Sequence, residues 1–304
     1  MKIRFYTLLY ADLSESRQLQ GKKRSARQRI AIFIKNAILL DKSLRATNPE
    51  CGSLTILTNN IELISDIIDE CGYTGINVIQ IDFSLPVPAG IPFYSAHYKI
   101  DAFNYFASLP DDQYSVLLDN DIVFLRPLPQ TFYEITERRI PLCYHLPVGD
   151  CDKMMADCRK ISSDTDVPTW TGGELWGGVN HFYSKLYKEC LSVTSSYFSV
   201  IDNNFFHIGD EMLTSLAFAR MKNRGLEYLD AGMYRFIHRY WGMHERQPIQ
   251  HFNPVLAHLP ADKVWISESG IDNKPFVPSE FIARYNRHLR LFRFLNKIRN
   301  AIKI

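Results

Sequence analysis

The chain has 304 residues, of which 46% are hydrophobic, enough to bury a sizeable core in one large domain or two small ones and to mark an ordinary globular protein. Net charge is only +2, but seven cations and no acid fall between residues 281 and 304, which leaves the first 280 residues at −5. The opening apolar run is too short for a signal peptide, and no stretch approaches the roughly 18 apolar residues of a membrane span, so a cytoplasmic protein is expected. Six scattered cysteines without CxxC pairs or a companion histidine cluster suggest neither a zinc knuckle nor a disulfide framework and read as reduced, mostly buried thiols. Cys151 and Cys158, both near acidic residues, are the one pair to inspect.

Along the chain, short apolar runs bounded by turn residues alternate with longer segments of helical period, the pattern of an α/β layer architecture. Strands are expected at Ile3–Leu9, Leu54–Leu57, Ile76–Ile81, Ser115–Leu118, Ile122–Leu125, Leu142–His145 and Glu227–Leu229. Helices are expected at Gln28–Arg45, Ile61–Cys71, Ala96–Ala107, His181–Tyr197 and Asp210–Met221. Gly90, Pro92, Pro127, Pro129, Pro147 and Pro168 punctuate loops, and there are no internal repeats. A single domain over 1–270 is therefore expected, followed by a tail over 271–304. In that tail Ile282, Tyr285, Leu289, Phe292, Leu295 and Ile298 recur at spacings of three and four among Arg284, Arg287, Arg290, Arg293 and Lys297, which reads as a basic amphipathic helix.

The most informative segment is Tyr114-Ser115-Val116-Leu117-Leu118-Asp119-Asn120-Asp121-Ile122-Val123. A wholly apolar run is a buried strand, and it delivers Asp119 and Asp121 to its carboxyl end, where open α/β sheets place their ligands. Side chains at i and i+2 share a side, so two carboxylates converge with no base between them, an arrangement that suits a divalent cation. Asp-Asn-Asp is also a good turn former.

Together with Tyr98-Lys99-Ile100-Asp101-Ala102-Phe103 on the preceding helix, this stretch resembles the centre of glycosyltransferase family 8. The resemblance implies a GT-A fold, a mostly parallel, Rossmann-like sheet with flanking helices. It also implies a DxD that binds manganese (magnesium being the alternative) and the donor diphosphate, with Asp119 and Asp121 as ligands and Asn120 and Lys99 close to the donor. Two later segments match in order. His258-Leu259-Pro260-Ala261-Asp262-Lys263-Val264-Trp265 is similar to the family's His-x-x-Gly-x-x-Lys-Pro-Trp, which implies a third ligand in His258 and a phosphate contact in Lys263. This copy lacks the Gly and Pro and is one residue shorter between His and Lys. Gly209-Asp210-Glu211 sits where the family has Asp-Gln-Asp, which implies a catalytic place for Asp210 and for Glu211 beneath the anomeric carbon. A Glu in place of the usual Gln leaves the outcome open between retention and inversion, with retention favoured.

Trp170-Thr171-Gly172-Gly173-Glu174-Leu175-Trp176-Gly177-Gly178 reads as a sugar-site loop, because glycine admits close backbone approach and aromatic faces suit sugar C–H faces. Glu174 and Trp176 are thus the expected acceptor contacts. At the front, Phe5-Tyr6-Thr7-Leu8-Leu9-Tyr10 is similar to the family's first strand, with Thr7 and Tyr10 placed to bond and stack on the base. The expected reaction is hexose transfer from a nucleotide-sugar, a UDP-sugar first, to a glycan or lipid-linked saccharide such as lipopolysaccharide or capsule. The basic tail would adsorb to an anionic membrane surface at the cytoplasmic face. Nucleic acid is not an expected partner, since the acidic body offers no basic groove. The rivals are a haloacid dehalogenase-type phosphohydrolase, whose DxDxV motif Asp119 to Val123 also fits, and a sugar nucleotidyltransferase, whose glycine-rich first loop is missing at Leu8-Leu9-Tyr10-Ala11.

Overall fold

A computed structural model describes residues 1–13, 24–91, 93–146, 151–163, 169–202, 204–241, 247–269 and 274–302. Pro92, Pro147 and Pro168, together with the side chains of Cys151, Lys297 and Arg299, lie outside the described residues. Cys51, Cys71, Cys143, Cys158 and Cys190 are free thiols, and Cys158 packs in the core against Met212.

The elements run β1 (Lys2–Leu9), α1 (Ala26–Thr47), β2 (Thr55–Thr58), α2 (Ile61–Glu70), β3 (Asn77–Gln80), α3 (Lys99–Ala107), β4 (Gln113–Leu118), β5 (Ile122–Phe124), α4 (Gln130–Glu137) and β6 (Leu142–His145). They continue through α5 (Cys151–Ile161), β7 (Thr171–Gly178), α6 (Asn180–Val200), α7 (Asp210–Asn223), β8 (Leu229–Asp230), β9 (Ile237–Arg239), α8 (Ile249–Phe252), β10 (Leu256–His258), α9 (Lys263–Ser269) and α10 (Pro278–Ile302). All seven expected strands and all five expected helices exist, with ends shifted by a few residues. Ala96–Tyr98 are the one sizeable difference, since they belong to a 3-10 turn over Tyr94–Tyr98 rather than to α3.

The main sheet has the order β3-β2-β1-β4-β7-β6-β8. Its first four strands are parallel, while β7 runs antiparallel between β4 and β6. Period-two alternation divides the core: Phe5, Ile56 and Val116 face α1, α2 and α4, whereas Tyr6, Leu57 and Leu117 face α3, α6 and α7. Helices therefore cover both faces, the α/β layering expected of the chain.

The segment expected to be a glycine-rich loop is β7, buried along its whole length. Glycine serves packing here: a Cβ at Gly177 would lie 3.0 Å from the Tyr114 ring, and one at Gly178 would lie 2.4 Å from Phe182. A second, three-stranded sheet of order β5-β10-β9 forms past the end of β4 and carries a third core cluster.

Helix α10 belongs partly to that cluster. Phe281, Tyr285 and Leu289 are buried against Tyr240, Ile249 and Ile266, so the helix that opens the tail packs into the body rather than standing apart from it. Its distal half exposes Leu291, Phe294, Leu295 and Ile298. Among the described residues no helix is long and apolar enough to cross a membrane.

Candidate functional site

Strand β4 ends at Leu118, and the turn Asp119-Asn120-Asp121 carries the chain into β5 of the small sheet. This is the point where the two sheets part. Asp119 stays in register with the main sheet, its N–H donating to the Glu174 carbonyl on β7 at 3.1 Å. The Asp121 carbonyl accepts from Leu259 N–H at 3.0 Å, just past β10, and β10 pairs His258 with Ile122. Strand pairing thus brings His258 to the acidic turn. Its Nε2 lies 3.2 Å from Asp121 Oδ1 and 3.6 Å from Asp119 Oδ2. One ligand atom from each of Asp119, Asp121 and His258 lies within 4.8 Å of the others, a donor set of two carboxylates and one imidazole that fits a divalent metal.

The other nitrogen of the ring, His258 Nδ1, lies 3.3 Å from Glu174 Oε1. A carboxylate behind a ligating imidazole fixes its tautomer and orientation and raises its basicity. Burial alone would lower the His258 pKa, but Asp121 and Glu174 on its two sides raise it to about 9. Burial would raise Asp121, yet Lys263 and His258 hold it far below the usual carboxylate range. Lys263 supplies this from the start of α9, its Nζ 2.7 Å from Asp121 Oδ2.

On the other side stands Lys99, at the head of α3 and 9% exposed. Its ammonium donates to the Gly173 carbonyl at 2.8 Å and pairs with Asp119 Oδ1 at 2.9 Å and Asp210 Oδ2 at 3.0 Å. Burial disfavours the charge, but the two carboxylates more than offset it and push the Lys99 pKa up. Gly173 makes this approach feasible, because a Cβ there would lie 2.6 Å from both Lys99 Nζ and Asp210 Oδ2. Burial moves Asp210 up, against the pull of Lys99.

Glu211 follows Asp210 at the start of α7, and both of its oxygens are occupied. Oε2 accepts from Trp170 Nε1 at 2.7 Å, with His207 Nε2 at 3.6 Å. Oε1 accepts from Gly173 N–H and from Arg239 Nη1, each at 3.4 Å. Arg239, on β9, also lies 3.6 Å from Glu174, so one guanidinium spans the acid behind His258 and the acid that opens α7. No local signal pointed to Arg239. Its strand is three residues long, and both partners are far away in sequence.

These groups wall a cleft of about 250 Å³ lined by Leu8, Leu9, Tyr10, Phe33, Phe93, Ser95, Ala96, Lys99, Asp119, Asn120, Asp210, Glu211 and Lys263. Charged and aromatic side chains line it together, with the Lys263 ammonium 5.6 Å from the centre of the Phe33 ring. Tyr10, which lines it, lies against Tyr98, with ring centroids 4.4 Å apart. Phe93, also in the lining, is 44% exposed and sits in the left-handed region at φ 53°, a conformation that costs a bulky residue energy.

The structure thus gathers Tyr10, Lys99, Asp119, Asn120, Asp210, Glu211 and Lys263 around one cleft, with Asp121 and His258 beside it. Three expectations are corrected. Thr7 is fully buried inside the main sheet and does not line the cleft. Trp176 is fully buried between Phe103 and Phe218, so it has no face to present to an acceptor. Glu174 is equally buried, its carboxylate turned to His258 and Arg239. Cover on both faces of β7 explains both, since a loop was expected where a fully buried strand lies. Aromatic rings do lie beside Glu211, but they are Trp170 and His207; Trp170 packs on His207 at 5.4 Å and on Phe206 at 5.5 Å, and Trp241 lies 5.7 Å from the Arg239 guanidinium.

Neither a protein-family model nor a curated protein sequence matches the chain. Solved structures do match it. The galactosyltransferase LgtC in complex with donor and acceptor sugar analogues aligns with 91% of this chain and 98% of its own at a TM-score of 0.51 and 12% identity. The apo WbbM bifunctional glycosyltransferase aligns with 94% of this chain at a TM-score of 0.53 and 8% identity. This chain spans 52% of the WbbM chain. Mouse xyloside xylosyltransferase 1, in its apo form, aligns with 86% of this chain and 98% of its own at a TM-score of 0.49 and 13% identity. The likeness to LgtC and WbbM shows the fold, which is GT-A.

Proposed function

We propose that this chain is a metal-dependent glycosyltransferase that moves a hexose from a nucleotide-sugar, a UDP-sugar first, to a glycan or lipid-linked saccharide such as lipopolysaccharide or capsule. The observation that carries this reading is the convergence of Asp119, Asp121 and His258 with Lys99 and Lys263 at a cleft also lined by the aromatic rings of Tyr10, Phe33 and Phe93. Manganese suits two carboxylates and an imidazole better than magnesium or calcium, which prefer oxygen shells. When bound, the ion would neutralise the negative charge that develops on the departing diphosphate.

The remaining roles belong to this chain's own groups. Lys99 and Lys263 put positive charge in the lining of the same cleft, and Asn120 lies between the two acids of the turn. Tyr10, backed by Tyr98, offers a flat face to the base. Asp210, paired with Lys99, is suited to bind sugar hydroxyls. Glu211 has every oxygen engaged by a protein donor, so it acts as a fixed anion that stabilises positive charge at the anomeric carbon rather than as a free base or nucleophile. Retention of configuration accords with that role. Neither the phosphohydrolase nor the nucleotidyltransferase alternative is favoured, because the structures that share the fold are glycosyltransferases.

The exposed Leu291, Phe294, Leu295 and Ile298 of α10, with Arg287 and Arg290 exposed beside them, support adsorption to an anionic leaflet, where a lipid-linked acceptor would be met. Co-sedimentation with vesicles containing phosphatidylglycerol tests this, with loss expected in Phe294→Glu/Leu295→Glu.

The reaction itself is tested by incubating the protein with UDP-glucose, UDP-galactose and their N-acetyl forms, with manganese or with chelator, and following UDP release. Manganese-dependent release that disappears in Asp119→Asn and Asp121→Asn is the expected result. A wild-type chain that neither binds nor turns over any of these donors would sink the UDP-sugar reading.

A further inference from the structure

Asp262 immediately precedes Lys263 and is buried, 6% exposed. Both of its carboxylate oxygens are engaged by the carboxyl-terminal helix: Tyr285 donates its hydroxyl to Oδ2 at 3.0 Å, and His288 Nε2 lies 3.0 Å from Oδ1. His288 also stacks on Trp265, with centroids 5.1 Å apart and planes 22° from parallel. The segment from His258 to Lys263 is therefore held at two points. Upstream, β10 pairs with β5 and Leu259 N–H donates to the Asp121 carbonyl. Downstream, Asp262 is gripped by α10.

Docking α10 did not require an acid at this place. Phe281, Tyr285 and Leu289 already bury apolar surface against the third core cluster. A buried carboxylate costs free energy unless it is well hydrogen-bonded, and in return its donors fix one geometry where apolar contacts alone allow sliding. That geometry is imposed on the residue that adjoins Lys263.

We propose that Tyr285 and His288 are positioning residues of the donor site: by holding Asp262 they set the placement of Lys263 against Asp121 and of His258 against Asp119 and Asp121. The inference rests on the functional reading above for what binds there. The carboxyl-terminal helix is then a strut of the metal and phosphate site as well as a membrane-facing element.

The test uses the full chain with Tyr285→Phe, which removes only the hydroxyl, with His288→Gln, and with Asn286→Ala as a control. Asn286 also docks α10, accepting from Ile249 N–H and donating to Gln250, but it does not touch Asp262. Manganese affinity of the protein is read by electron paramagnetic resonance of the free ion, UDP affinity by calorimetry, and melting temperature by circular dichroism. Tyr285→Phe and His288→Gln are expected to weaken manganese and UDP binding by about tenfold, the low end for residues that support a metal's ligands, while Asn286→Ala lowers the melting temperature and leaves both affinities unchanged. Affinities unmoved in Tyr285→Phe and His288→Gln, or lowered equally in Asn286→Ala, would overturn the proposal. A wild-type chain that binds neither manganese nor UDP fails the functional reading instead. Amide exchange over residues 258–263 then decides the clamp: faster exchange in Tyr285→Phe upholds it, and unchanged exchange refutes it.

Discussion

His258 turns its Nδ1 to the buried carboxylate of Glu174, 3.3 Å away, and so presents Nε2 to the acidic turn. Glu174→Gln keeps the shape of the side chain and removes its charge. Manganese affinity should fall at least tenfold while the fold persists, because the imidazole loses the anion that orients it. Titration calorimetry with manganese checks this. Unchanged affinity would mean that β10 alone orients the ring.

Arg239 joins Glu174 to Glu211, and both acids are placed to feel its loss. Arg239→Gln leaves two largely buried carboxylates short of a cation, so a destabilisation of about 3–5 kcal/mol is expected from urea unfolding. Arg239→Lys restores the charge but not the span between two partners, and should recover stability more fully than UDP release. Equal recovery of both would show that the charge alone matters.

Gly173 leaves room for Lys99 and Asp210 to meet over its backbone. Gly173→Ala should displace both side chains and lower kcat/KM for donor hydrolysis on the order of a hundredfold, the scale of a misplacement of about 1 Å. Steady-state kinetics across donor concentrations would measure it. Wild-type kinetics would show that the cluster can shift without consequence.

Trp176 sits wholly inside the core, against Phe103 and Phe218. Trp176→Ala should cost about 3–5 kcal/mol of stability through the cavity it leaves. An acceptor-binding tryptophan would give the opposite pattern, namely near-normal stability with a raised acceptor KM. Urea unfolding distinguishes the two.

Asp41 is fully buried and accepts from Tyr73 Oη and from Leu54 N–H. Burial raises its pKa above the ordinary 3.8, with Tyr73, Leu54 and Arg45 opposing. The folded chain thus binds this proton more tightly than the unfolded one. The contribution to stability is complete below the unfolded pKa and is lost as pH climbs through the folded value. The stability difference between wild type and Asp41→Asn should shift in favour of wild type as pH falls from about 7 to about 4. A difference that moves the other way would show that the hydrogen bonds outweigh burial.

The alternating layers and the acidic turn were legible in the sequence because both follow from local pattern. Wholly apolar runs such as Tyr114–Leu118 bury wherever they fall, and residues two apart at a strand end share a side, so Asp119 and Asp121 converge. Lys99, His258 and Lys263 stood out only through the resemblance of their segments to glycosyltransferase family 8, since each alone reads as an ordinary surface or turn residue. What the chain could not declare locally was pairing. Strand β7 reads as a loop because its four glycines lower strand propensity, yet it pairs antiparallel with both β4 and β6, and glycine admits Tyr114, Phe182 and Lys99 to its surface. That pairing buries Glu174 and Trp176 and turns an expected acceptor contact into the carboxylate behind a histidine. Arg239, Asp262, Tyr285 and His288 belong to contacts between elements far apart in sequence, and only the closed tertiary structure brings such partners within hydrogen-bonding distance. Periodicity records which side of an element is buried, whereas the identity of the group it meets depends on how the elements are joined.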